Sequence, residues 1–184
     1  MSVGTEARAQ QAEPRIAVIV PCYNEALTVG TVVARARAAM PSATVYVYDN
    51  NSTDDTALIA RAAGAVVGRE QYQGKGNVIR RMFADIDADI YVMVDGDNTY
   101  DLEVAPKLIA LMREQSLDFI NGARIGHAAE AYRAGHRFGN RILSGLVQWN
   151  SVHLLSDILF GYKVFLCRLV ISFPALAQGF EILT

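Results

Sequence analysis

Asp89-Ile90-Tyr91-Val92-Met93-Val94-Asp95-Gly96-Asp97-Asn98-Thr99-Tyr100-Asp101 is the stretch on which the reading of this chain turns. Ile90 to Val94 is apolar throughout, without the alternation of a half-exposed strand, which is the pattern of a strand covered on both faces in a parallel sheet. The run stops at Asp95-Gly96-Asp97, two carboxylates flanking a residue without a side chain. In open α/β sheets ligands gather beyond the carboxyl ends of the strands, where this pair would emerge. Two hard oxygen ligands suit Mg²⁺ or Mn²⁺, which binds through one or two carboxylates and leaves other positions to water and phosphate. Asp-Gly is also a common turn dipeptide, so the pair alone reads equally as a plain turn. A calcium loop is excluded, because Tyr100 stands where that loop needs glycine and Pro106 where it needs glutamate.

Working outward, strands and helices alternate. Arg15 to Val20 reads as a buried strand stopped by Pro21, with Asn24 as the N-cap of the next helix and Glu25 in its first turn. Val29, Val32, Val33, Ala36 and Met40 give that helix an apolar face. Thr44 to Tyr48 is a second strand, followed by Ser52 and Asp55 in the spacing of a capping box for a helix ending near Gly64. Ala65 to Val67 is a short third strand. Gly74-Lys75-Gly76 precedes a helix starting near Asn77, whose Val78, Ile79, Met82, Phe83 and Ile86 share a face. After the central strand, a helix from about Glu103 turns Val104, Leu108, Leu111 and Met112 inward, and Asp118 to Asn121 is a fifth strand. The alternation predicts a single α/β domain with a mostly parallel, Rossmann-like sheet flanked by helices. Beyond it, Arg124, Arg133, Arg137 and Arg141 mark a basic stretch, and Phe138, Ile142, Leu146 and Trp149 follow at helical spacing. Asp157 to Lys163 reads as a turn into another strand.

Composition sets the bounds. With 184 residues, 52% of them apolar, one substantial core is expected, and a net charge of −2 argues against general nucleic-acid binding. Cys22 and Cys167 lie in apolar contexts without metal-type spacing, which fits a reduced compartment. Residues 1–14 read as a disordered lead-in without the apolar segment of a signal peptide, and residues 15–184 as the folded domain. The stretch from Val164 to Ala177, interrupted by Arg168 and Pro174, falls short of the roughly 20 residues that span a bilayer.

Polar residues therefore collect at four strand ends: Asn24 and Glu25, Asp49, the Asp95/Asp97 pair, and Asn121 leading to Arg124. In this ordered set the chain resembles the inverting family 2 glycosyltransferases of the GT-A fold. The resemblance rests on Ile19-Val20-Pro21-Cys22-Tyr23-Asn24-Glu25, Asp49 to Asp54, Gly74-Lys75-Gly76-Asn77, Asp95-Gly96-Asp97, Gly122-Ala123-Arg124, and Asp157 through Lys163. Within that family it is most similar to the dolichyl- or undecaprenyl-phosphate sugar synthases. The resemblance implies that Pro21, Tyr23, Glu25 and Asp49 line the nucleotide pocket, with Asp49 facing the base. It implies that Lys75 approaches the donor diphosphate, that Asp97 is the direct metal ligand, and that Asp95 contacts the ribose or backs the metal. The family pattern carries a second Asp and then Gly after Asp49. Here Asn50 and Asn51 stand there, losing a charge while keeping a residue that tolerates positive φ.

The same resemblance implies a nucleotide-sugar donor, UDP- or GDP-linked, an Mg²⁺ or Mn²⁺ cofactor, and a polyprenyl-phosphate acceptor met at the cytoplasmic face of a membrane. A lipid phosphate is already anionic near neutral pH, its second pKa being about 6, so such an enzyme needs cations more than a general base. Arg124 and Lys163 match family positions for that role, with Arg133 and Arg137 supported by local charge alone. Asp157 either acts as base or orients Lys163. The helix bearing Trp149 either lies on the membrane interface or packs on the sheet. Relatives continue beyond the Gly179-Phe180-Glu181 end, so the chain reads as a catalytic domain cut short at its C-terminus. Three alternatives stay open: transfer to a saccharide hydroxyl, a non-catalytic sugar-nucleotide-binding module, and a sugar-nucleotide pyrophosphorylase. The last lacks support, because Pro21 to Glu25 stands where that class needs a glycine-rich basic loop.

Overall fold

A computed structural model describes residues 13–122 and 162–172. Six strands, β1 (Ile16–Cys22), β2 (Thr44–Asp49), β3 (Val66–Arg69), β4 (Ile90–Met93), β5 (Phe119–Gly122) and β6 (Tyr162–Leu166), form one sheet in the order β3-β2-β1-β4-β6-β5. β3, β2, β1 and β4 are mutually parallel, and β6 lies antiparallel between β4 and β5. The helices are α1 (Val29–Ala39), α2 (Thr56–Ala62), α3 (Lys75–Asp85), α4 (Ala105–Glu114) and α5 (Cys167–Ser172), with a 3-10 turn at Leu102–Val104.

The unbroken apolar runs explain the layering. Along β1, Val18 and Val20 face one core with Val29, Val32, Val33 and Ala36 of α1 and Ala105, Ile109 and Met112 of α4. Ala17 and Ile19 face a second core with Val78, Ile79 and Met82 of α3 and with Tyr91, Met93 and Phe165. Both faces of the strand are covered, as a parallel sheet requires. Tyr91 and Phe165 stack at 5.5 Å between ring centres, and Phe83 meets both edge-on.

Several local expectations give way to longer-range partners. β1 continues through Pro21, which is opposite Tyr48 of β2, because β4 pairs only as far as Met93 opposite Ile19. Beyond that point one side of β1 is an edge, where proline removes no ladder bond. Asn24 does not cap α1: the cap is Thr28, and Asn24 sits in the left-handed region at φ 55°. Ser52 and Asp55 form no capping box, since Asp55 is itself the N-cap of α2 and its side chain makes no cap bond. Leu111 faces outward from α4 while Ile109 turns in. α3 begins at Lys75, two residues earlier than its periodicity indicated. The expected basic stretch and the Trp149 helix lie outside the described residues. Among those described, no helix is long and apolar enough to cross a membrane.

Candidate active site

The carboxyl ends of β1, β2 and β4 converge with the amino end of α3, and hydrogen bonds knit the loops there into one rim. Asn50 N–H donates to Cys22 O at 2.9 Å, joining the first two strand ends. Asn24 N–H donates to Ser52 Oγ at 2.9 Å, and Thr53 N–H donates to Asn24 Oδ1 at 2.8 Å. Glu25 N–H donates to the fully buried Thr56 hydroxyl at 2.8 Å, whose own proton goes to Asp54 Oδ1 at 2.5 Å. Asp54 also accepts from Ala26 N–H, and the hydroxyl bond, followed by these backbone bonds, holds its carboxyl below the ordinary aspartate value. The two polar loops that read as helix starts in the sequence are each other's partners.

The acid pair hangs from β4 directly beside this rim. A Cβ built on Gly96 would lie 2.8 Å from Cys22 Sγ and 3.2 Å from Glu25 Cγ. Glycine is needed here for room, since Gly96 has no left-handed φ. Asp95 accepts from Lys75 Nζ at 2.5 Å, so the first residue of α3 already reaches the end of β4. Asp97 Oδ1 accepts from both Thr99 N–H (3.1 Å) and Thr99 Oγ1 (2.7 Å), which fixes the carboxylate over its own turn. Arg35 of α1 braces the segment that follows, donating to Asn98 Oδ1 at 2.9 Å and pairing with Asp101 at 3.5 Å.

Negative charge accumulates here. The Glu25 carboxyl is pushed up, first by burial and then by Asp97, Asp95 and Asp54, against the opposing Thr28 hydroxyl bond. The Cys22 thiol is pushed up strongly, by burial first and then by Glu25, Asp49, Asp95 and Asp54. Such convergence of acids beyond strand ends fits a divalent cation that takes one or two carboxylates and leaves its other positions to water and phosphate oxygens. Among the described residues no three His, Cys, Asp or Glu side chains form a closed cage, so the fit is to that open type of site.

The structure thus brings Pro21, Tyr23, Glu25, Asp49, Lys75, Asp95 and Asp97 to one rim. Pro21 and Asp49 are buried, Tyr23 is half exposed, and Asp49 Oδ1 accepts from Ser52 N–H at 3.3 Å. Lys163 lies across the sheet from Met93, at the end of β4. It is 1% exposed, and its ammonium donates to Asn121 Oδ1 at 2.8 Å. Arg124 and Asp157, with Arg133 and Arg137, lie outside the described residues. Local sequence reading gives no role to Asn50, Thr56 or Arg35, each of which has a partner 20 or more residues away in sequence. The only local signal was Asn50 itself, an amide where the family pattern has an acid.

The fold is that of the GT-A glycosyltransferases. Glucosyl-3-phosphoglycerate synthase from Mycobacterium tuberculosis superposes with a TM-score of 0.62 over 85% of this chain and 58% of that one, at 24% identity, a likeness of fold. That structure is a complex with Mn²⁺, UDP-glucose and glycerol 3-phosphate. The sequence pattern of glycosyl transferase family 2 matches residues 17–169, and the chain belongs to that family. It is 50% identical to protein RfbJ of Shigella flexneri over 123 residues, 66% of this chain and 95% of that protein. It is 33% identical to glycosyltransferase AglJ of Haloferax volcanii over 171 residues, 92% of this chain and 56% of that protein. A dolichyl-phosphate hexose transferase of the same archaeon is 29% identical over 150 residues, 82% of this chain and 65% of its own length. The chain therefore spans most of RfbJ but only about three fifths of the two archaeal relatives.

Proposed function

We propose that this protein transfers a hexose from a UDP- or GDP-sugar to a polyprenyl phosphate presented at a membrane surface, with inversion and with Mg²⁺ or Mn²⁺ bound. The observation that carries the donor half is the 2.5 Å approach of Lys75 to Asp95, which puts a cation and an acid pair at one rim beside Asp49. Asp49 would accept a base N–H, a task suited to a carboxylate. Tyr23 and Pro21 would flank the nucleotide, and Lys75 would take a diphosphate oxygen at the start of α3, where the helix dipole also favours an anion. Asp97, with Asp95 behind it, would hold the cation, which supplies positive charge against the departing nucleoside diphosphate.

The acceptor half rests on chemistry and on one relative. An anionic phosphate needs no base, and Arg124 and Lys163 are the residues proposed to hold it. The dolichyl-phosphate hexose transferase supports a lipid-phosphate acceptor by its name. Asp157 is then an orienting group. Calorimetry with UDP and with GDP, each with and without Mn²⁺, tests the donor half, and the expected result is metal-dependent binding of one of them. Transfer of labelled sugar to a polyprenyl phosphate in detergent, against a soluble saccharide, tests the acceptor half. Transfer only to the saccharide hydroxyl would overturn that half and make Asp157 the general base. Nucleotide binding without any transfer would leave a binding module.

A further inference from the structure

Asn50 stands where the family pattern carries an acid, and its surroundings explain what the amide does. The side chain is buried, with 3% exposure. Its Nδ2 donates to Glu70 O at 3.0 Å and to Tyr72 O at 2.8 Å, while its Oδ1 accepts from Gly74 N–H at 2.7 Å. All three contacts fall on the loop between β3 and α3. Other bonds fasten the same loop to the end of β2. Glu70 N–H donates to Asp49 O at 3.0 Å, and Asn51 Nδ2 donates to Gln71 O at 2.6 Å.

Gly74 is the point at which this loop becomes α3. Its φ of 124° is open to glycine and rarely to other residues, and its carbonyl accepts the first helical bond, from Asn77 N–H at 2.9 Å. The next residue is Lys75, whose ammonium is on Asp95. From the Asn50 amide to the cation of the acid pair, the path is therefore one hydrogen bond, one peptide unit and one side chain. Asn50 also adjoins Asp49, so a single residue sets the distance between the base end and the diphosphate end of the donor pocket.

We infer that Asn50 is a positioning residue that sets Lys75 for the donor's diphosphate, a role resting on the donor reading above. With this loop's carbonyls turned toward it, an acid would not make the same contacts. A carboxylate only accepts, and Asp at this position would set one oxygen, in place of Nδ2, against both the Glu70 and Tyr72 carbonyls while retaining only the Gly74 contact. Conversely, a loop held by three bonds to one buried amide delivers the ammonium without a search, and losing one hydrogen bond to a charged group costs about 10–100-fold in affinity.

The test compares nucleoside diphosphates with monophosphates, measured by calorimetry with Mn²⁺ on the wild type, Asn50→Asp and Lys75→Ala. UDP, GDP, UMP and GMP are the probes. The expected result is that Asn50→Asp weakens the preferred diphosphate by about 10–100-fold while changing the matching monophosphate less than about threefold, and that it adds nothing in the Lys75→Ala background. A folded Asn50→Asp protein that binds the diphosphate as tightly as wild type overturns the inference. Equal losses for diphosphate and monophosphate also overturn it, by making Asn50 a support of the whole pocket. Where Asn50→Asp does not fold, Gly74→Ala moves the same loop without a buried charge, because a side chain is strained at its φ of 124° while its new Cβ meets Asn77 Nδ2 only at an ordinary 3.5 Å. The same selective loss is expected of it, and unchanged diphosphate affinity overturns the inference. A wild-type protein that binds neither UDP nor GDP would fail earlier and differently, removing the donor reading together with this one.

Discussion

The two rims of the sheet use the same kind of side chain to opposite ends. At the amino rim, Asp87 and Asp89 flank the single guanidinium of Arg15, with contacts of 2.6 Å and 3.2 Å, in open solvent. The Arg15 side-chain bonds, joined at Asp89 by its backbone N–H, hold both carboxyls below the ordinary aspartate value. At the carboxyl rim, Glu25, Asp54, Asp95 and Asp97 face one another, and Glu25 is pushed up by burial and by its neighbours. A cavity of about 300 Å³ opens at the amino rim, lined by Arg15, Asp89, Tyr91 and Cys167 among others. Concavity there coincides with acids gathered on one guanidinium, whereas the acids proposed to serve the donor stand at the opposite rim, with Lys75 on Asp95. Clustered acids that raise one another's proton affinity are a sign of a ligand site, and a hollow alone is a weaker one.

The largest effect should come from the acid pair itself. Asp97→Asn is expected to weaken Mn²⁺-dependent nucleotide binding by about 100-fold or more, because a neutral amide is a poor partner for a hard dication. Equal affinity in variant and wild type at saturating Mn²⁺, read by calorimetry, would reduce the acid pair to a turn and erase the contrast between the rims. Gly96→Ala probes the room between β4 and β1. A methyl 2.8 Å from Cys22 Sγ forces the strands' ends apart, for a loss of about 1–3 kcal/mol in denaturant unfolding.

Smaller effects separate the rims by pH. The Glu25 carboxyl binds its proton above the usual value of 4.5. Between that value and the raised one, the folded state holds more protons than the unfolded chain, so stability falls as pH rises. Glu25→Gln should therefore raise Tm at pH 7 by about a degree or two, a gain kept small by solvent and shrinking toward pH 4. A pH-independent difference would show that Glu25 carries no excess charge. Asp87 and Asp89 run the other way: their lowered values contribute stability above the ordinary aspartate value of 3.8, lost as pH falls through the folded-state values. Asp89→Asn should lower Tm slightly at pH 7, less so in acid, and leave nucleotide affinity unchanged. A change in affinity would mean that the amino rim communicates with the site.

Much of the fold was legible because it follows from covering both faces of a strand. Val18, Val20, Val92 and Val94 lie where the apolar runs placed them. The direction of β6 was not, since Tyr162-Lys163-Val164-Phe165-Leu166 reads the same in either orientation and only its pairing with β4 decides it. The site's chemistry was legible as residue types at strand ends, and its architecture was not. Asn24 and Ser52 were read against their sequence neighbours, whereas they bond to each other across 28 residues. By type Asn50 is a missing charge, whereas its amide makes three bonds, two of them donations that a carboxylate cannot make.

The reversed β6 has a further consequence. Gly122, the last residue of β5, stands opposite Tyr162, the first of β6. Whatever the chain does between them, it departs from and comes back to neighbouring points on the side of the sheet where Asp95 emerges. A segment closed between adjacent posts can change length with little penalty, each doubling adding only about 0.6 kcal/mol of closure entropy. Residues 123–161, which include Arg124 and Asp157, lie between these two posts in the sequence. The posts themselves are held in register by the pairing of β5 with β6, so the cost of joining them is set by the sheet before any residue between them is chosen.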